Sequence, residues 1–199
     1  MNRSWNRPVA DSAVQARSAR RYLRALAGIG LCLAWAGASE AQTREEQAFL
    51  RSAANHFGFA EREVAFLAQG EASPDEIPVV LHLARQAGVS AEAILALRRG
   101  GLSWTDLLRR YGMHAGQLHV DLETVPREGA LGRAYETFAG RPRSSWEVIR
   151  LADDQVVALV ALSFLSRYLQ ISPEQVAVAL AGSLSPVEAY RALLGRRSA

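Results

Sequence analysis

From Gln42 onward, apolar residues recur every three or four positions in short runs, each opened by a capping residue and followed by glycine. That spacing gathers the apolar side chains on one face of a helix. Thr43-Arg44-Glu45-Glu46 reads as a capping box, in which a hydroxyl accepts a first-turn N–H and a carboxylate reaches back. Ser73-Pro74-Asp75-Glu76, Ser172-Pro173-Glu174-Gln175 and Ser185-Pro186-Val187-Glu188 follow the same logic. In these three, proline stands at the first helical position, where a missing N–H costs nothing. Ser90 and Ser103 are weaker caps. Gly70, Gly88, Gly100, Gly112, Gly182 and Gly195 stand where helices need a left-handed closing residue. Residues 153–169 are apolar nearly all round, as suits a central buried helix. No window alternates long enough to form a strand. Residues 42–199 are therefore predicted to form a single all-α domain.

The punctuation repeats. Residues 88–112 align without a gap on 170–194, pairing Ser90 with Ser172, Glu92 with Glu174, Gly100 with Gly182, Ser103 with Ser185 and Arg109 with Arg191. Residues 59–77 fit the same frame through Val64, Ala65, Gly70, Ser73, Pro74 and Glu76. A hairpin of about 25 residues cannot bury its apolar face alone, so stacked copies must supply the core. The predicted architecture is a stack of short helical hairpins, with helical units over 43–112 and 146–195. Residues 113–145 carry proline, glycine and no long periodic run, and are predicted to be an irregular connection. Function tends to reside on such loops.

The N-terminus has a different composition. Arg17, Arg20, Arg21 and Arg24 precede an uncharged apolar stretch from Ala25 to Ser39, with small residues at its exit. Basic, apolar and small-residue segments in that order are the pattern of a secretory signal peptide over residues 1–41, with cleavage near Ala38 or Ala41. Fifteen apolar residues fall short of the roughly 20 a spanning helix needs, and retention as an uncleaved anchor is the alternative. Arg20-Arg21 is followed by Tyr22-Leu23-Arg24, which fits a twin-arginine signal poorly. Cys32 is the single cysteine and lies inside the apolar stretch. A cleaved chain then has no disulfide, thiolate metal site or cysteine nucleophile. The predicted location is the periplasm or the exterior.

Charge changes the picture once it is divided. The whole chain has net charge +3, and its 23 basic residues are all arginine. Residues 1–41 hold six arginines against two carboxylates, whereas 42–199 hold 17 against 18. The basicity belongs to the N-terminus, so no nucleic-acid partner is expected. The contrary reading starts from residues 101–114, which resemble the front of a helix-turn-helix beside Arg98, Arg99, Arg109 and Arg110. It would make the chain a DNA-binding protein with an uncleaved anchor. The segment that would read bases, Ala115 to Val120, offers only Gln117, and affinity for DNA rests largely on phosphate neutralisation.

Catalytic chemistry is hard to assemble from these residues. His114 and His119 are five apart without an intervening glutamate, unlike a zincin helix; with Asp121 they make at most a partial metal site. No G-x-S-x-G or phosphate-binding glycine loop occurs. Asp153-Asp154 stand at a helix start, where they favour the dipole. No enzyme activity, cofactor or metal is expected. What remains is a protein-interaction or envelope-associated module. Its partner-binding residues are predicted to be Tyr135, Phe138, Arg141 and Arg143 in the connection, since aromatic residues and arginine anchor interfaces. Trp104 and Trp146 are further candidates for that surface; each follows a serine, and the preferred reading is that they staple helix starts into the core.

Several stretches carry a resemblance: Asp75 to Val80, Gly88-Val89-Ser90, Leu97 to Trp104, Gly132-Arg133-Ala134-Tyr135, and Trp146 to Val176. On these the chain resembles a family of uncharacterised exported bacterial proteins over about residues 60–182. It departs from that family at Ala158-Leu159-Val160-Ala161, where the family is more polar, and near residue 81, where an aromatic-rich run is missing. The resemblance implies an exported α-helical protein, with no activity attached.

Overall fold

A computed structural model describes residues 44–69 and 72–197. The chain divides into two units, 1–44 and 45–199. The first lies outside the described residues apart from Arg44, and so do the predicted signal peptide, Thr43 and Gly70. The described residues are all-α: α1 (44–57), α2 (Glu61–Ala68), α3 (Ile77–Ala87), α4 (Ala91–Arg99), α5 (Trp104–Arg110), α6 (Gly129–Ala139), α7 (Asp153–Leu169), α8 (Pro173–Ala181) and α9 (Pro186–Arg197). Three 3-10 turns, at Pro74–Glu76, Ala115–Leu118 and Arg143–Val148, join them. No strand occurs among the described residues.

The serine caps work largely as the sequence implies. Ser90 Oγ accepts the Ala93 N–H at 3.2 Å, and Ser103 Oγ accepts that of Asp106 at 3.1 Å. At α8 the box is reciprocal: Ser172 Oγ accepts from Gln175 N while Gln175 Oε1 accepts from Ser172 N. Ser73 is the exception, with no side-chain cap bond; its helix starts instead as the 3-10 turn Pro74–Glu76. The two repeat pairs α4–α5 and α8–α9 open alike. Each opens with a nine-residue helix that ends on a glycine with φ between −70° and −90°. Gly100 and Gly182 are thus not left-handed, contrary to the sequence reading. Gly195 lies inside α9, and a left-handed Gln170 (φ 55°) closes α7 without any glycine.

α7 is the central helix, in contact with α3, α5, α6, α8 and α9. Its burial is nearly circumferential, through Val156, Leu159, Leu162, Phe164 and Leu165 among others, as its lack of a polar face requires. Phe49 of α1 packs edge-on against both Phe164 of α7 and Tyr190 of α9. Ser52 Oγ lies 2.8 Å from Tyr190 Oη beside them, so the two polar groups satisfy each other inside the core. Among the described residues no single helix is long and apolar enough to cross a membrane.

The main departure lies in the connection. Residues 129–139, expected to be irregular, form α6, which packs on α7 and α8. Leu131, Ala134, Tyr135 and Phe138 follow helical spacing and bury one stripe of it. The run is only eleven residues between Pro126 and Pro142, and it has no side-chain N-cap to announce it.

Candidate functional site

α6 builds one wall of an open groove of about 650 Å³. The strap 119–127 and the 3-10 turn Arg143–Val148 complete it. Glycine at 132 is what lets the strap cross so closely. A Cβ there would lie 2.6 Å from the Arg127 backbone, a distance real side chains do not tolerate.

The floor is aromatic. The His119 ring lies 4.4 Å from Trp146, 4.9 Å from Phe138 and 5.1 Å from Tyr135, measured between centroids. Burial among these rings pushes the His119 pKa below its ordinary value; the Asp121 carboxylate pulls it back up, and Arg143 adds to the depression. Tyr135 Oη donates to the Val120 carbonyl and so ties α6 to the strap. Trp146 Nε1 donates to the carbonyls of Phe138 and Arg141, at 3.3 and 3.2 Å, as α6 ends. Helix C-termini leave carbonyls short of partners; the Phe138 carbonyl also accepts the Arg141 N–H at 3.1 Å, and the indole adds a second donor.

The rim is cationic and partly apolar. Arg143 lies 5.0 Å over the Trp146 ring and donates to Asp121 Oδ1 at 2.6 Å. Both members of that pair are exposed, so it orients the guanidinium more than it stabilises the fold. Arg127 lines the strap side, and Val125 exposes a methyl face beside it.

The four predicted partner-binding residues are therefore brought near one another but not into equal roles. Tyr135 (6% exposed) and Phe138 (2%) belong to the core and present only an edge to the groove. Arg143 is exposed on the rim, and Arg141 is exposed just beyond α6. His119, Val125 and Arg127 lie in the connection expected to carry the partner surface, though the sequence singles out none of them individually, and Trp146 joins them in the groove. Trp146 is half-buried and caps α6 from behind, whereas Trp104 is wholly buried.

The other sequence candidates fare differently. His119 Nδ1 stands 3.7 Å from Asp121 Oδ1, the oxygen already engaged by Arg143. His114 does not fold back to join them as a ligand, and no group of three potential metal ligands occurs among the described residues. The segment proposed to read DNA, Ala115 to Val120, starts as the 3-10 turn Ala115–Leu118, with Ala115 and Leu118 buried, and continues extended from His119. Arg98 of the nearby arginine group is committed to Glu76 and Asp153. The next α-helix after α5 is α6, which starts only at Gly129, beyond this segment.

Comparison with protein-family models, with curated proteins and with solved structures finds no match.

Proposed function

We propose that this chain is an exported, non-catalytic helical module that engages a protein partner through the groove beside α6. The observation that carries the reading is the groove itself: about 650 Å³ of open space with an aromatic floor and an arginine rim. Such surfaces suit an apolar side chain of a partner entering between Val125 and Trp146, with a carboxylate beside it meeting Arg143. The histidine and tyrosine in the groove are held by ring packing and by a backbone carbonyl, which favours recognition over proton transfer. Export is supported by the basic-then-apolar order of residues 17–39. The resemblance to exported bacterial proteins points the same way.

A photo-crosslinking residue placed at Val125 in the native host tests the reading. A discrete adduct in the envelope fraction is expected at Val125. The same probe at Leu184, which is 96% exposed elsewhere on the surface, should give none. Equal labelling at both positions, or labelling at neither, defeats the proposal.

A further inference from the structure

A second cavity, of about 240 Å³, opens between α1, α3, α7 and the turn Ala115–Leu118. Its charged and titratable lining is entirely basic: His56 from α1, His82 and Arg85 from α3, and Arg167 from α7. No carboxylate lines it, although carboxylates slightly outnumber arginines over residues 42–199. Neither Arg85 nor Arg167 forms an ion pair with a carboxylate among the described residues. An arginine in the last turn of a helix is ordinarily accounted for by the helix dipole, and both occupy such positions. The dipole does not account for their converging with two half-buried histidines on one cavity.

Arg85 is also held in place. Its guanidinium donates to the Phe57 carbonyl and lies over Gly58, where a Cβ would come within 2.6 Å of Nη1. Gly58 has φ 75°, so glycine there serves both the turn and the guanidinium. A fixed guanidinium loses little freedom on meeting an anion, which is the condition for an effective site. The inner wall is apolar, with the Phe57 and Phe164 rings 5.8 Å apart. At about 30 Å³ of liquid volume per water, the space exceeds a bare inorganic ion.

We propose that this cavity binds a small organic carboxylate, its charged group between Arg85 and Arg167 and its apolar body against Phe57 and Phe164. Ser163 and Gln117 also line the cavity and carry neutral donors. The histidines agree in direction. Both pKa values are lowered, His56 by burial and then by Arg167 and Arg85, His82 by burial and then by His56 and Arg167. A bound anion reverses the charge part of that depression, so affinity should rise as the histidines become protonated.

Benzoate is the probe, with benzamide as its neutral counterpart, titrated calorimetrically into the full-length protein. Saturable one-to-one binding of benzoate is expected, at least tenfold tighter than benzamide and tighter near pH 6 than near pH 8. Arg85→Gln with Arg167→Gln should weaken it by tenfold or more. Both positions are exposed, so the helical spectrum and melting temperature without benzoate should be kept. Ser163→Asp, which puts a carboxylate into the cavity, should abolish binding and raise the His82 pKa read by NMR. Equal affinity for benzoate and benzamide, undiminished binding in the double variant, or no saturable benzoate binding overturns the proposal.

Discussion

Asp153, the first residue of α7, caps α5: its Oδ1 accepts the backbone N–H of Trp104 at 2.8 Å, and its Oδ2 takes Arg98 at 2.6 Å. Glu76 completes the arrangement, with Oε1 accepting from Arg98 Nη2 at 2.7 Å and from the Trp104 indole at 3.0 Å. Arg98 also lies 4.7 Å over the Trp104 ring. One guanidinium and one indole therefore fasten the start of α3, the end of α4, the start of α5 and the start of α7. Asp75 does the same across a longer span, accepting the Val187 N–H at the start of α9. Carboxylates of one hairpin cap the helices of another, and that ties the stack together sideways.

Asp153 and its neighbour Asp154 should consequently behave unlike each other. Asp153→Ala leaves a helix N–H without its partner and a partly buried guanidinium half-paired, a loss of about 2 kcal/mol. Asp154 meets Arg133 on the surface with both side chains more than half exposed, so Asp154→Ala should cost less than about 0.5 kcal/mol. Urea denaturation of the two variants decides it. Equal losses would mean that the network adds nothing beyond the helix dipole.

Caps divide in the same way. Ser172 Oγ holds the Gln175 N–H in a reciprocal box, and Ser172→Ala should cost about 1 kcal/mol. Ser73, the counterpart of Ser185 in the repeat frame, makes no side-chain cap bond, so Ser73→Ala should fall within about 0.5 kcal/mol of wild type. Matching losses would show that the serine is chosen for its backbone preference and not for its hydroxyl.

These contrasts mark what was legible in the sequence. Caps, prolines and the 3.6-residue period are local signals, and they located most helices and the central place of residues 153–169. Bonds between Asp153 and Trp104, 49 residues apart, leave no local trace, so Asp153 looked like an ordinary helix-start acid. α6 was missed because the Pro126 and Pro142 flanks and the glycines at 129, 132 and 140 read as loop chemistry. The Leu131, Ala134, Tyr135, Phe138 stripe was the signal that outweighed them. That same stripe places Tyr135 and Phe138 in the core, whereas loop chemistry alone implies a surface position. The basic cavity was out of reach, since its four basic residues come from three separate helices.

Alkaline stability should report Tyr135. Burial pushes its pKa up to about 12, and its hydroxyl donates to Val120, a bond only the protonated form can make. A pKa raised in the folded state favours the protonated form there. The stabilisation is complete below about pH 10 and is lost as pH rises from 10 toward 12. Two units correspond to about 2.7 kcal/mol. The chain has no lysine, which removes the side chains that ordinarily titrate beside tyrosine in that window. Tyr135→Phe should flatten the fall in stability measured by urea unfolding at about pH 9 and about pH 11.5. An unchanged slope would place the alkaline sensitivity elsewhere.

Packing and recognition can be separated at the groove because its floor and its rim differ in burial. Phe138 is 2% exposed and touches His119 and Trp146, so Phe138→Ala removes a core ring and should cost about 3–5 kcal/mol. Replacing Tyr135 as well removes the tie to the strap, and the double variant should lose its cooperative melt rather than serve as a binding probe. Arg143→Glu and Val125→Asp lie on the rim, where surface substitutions change stability by about 0.5 kcal/mol or less. If the groove is the partner surface, these two should erase the Val125-region crosslink, read from a neighbouring probe at Arg127, while the melting temperature stays near wild type. Loss of stability in the rim variants would make the groove a structural seam. Retention of the crosslink in both, with the fold intact, would move the partner surface elsewhere.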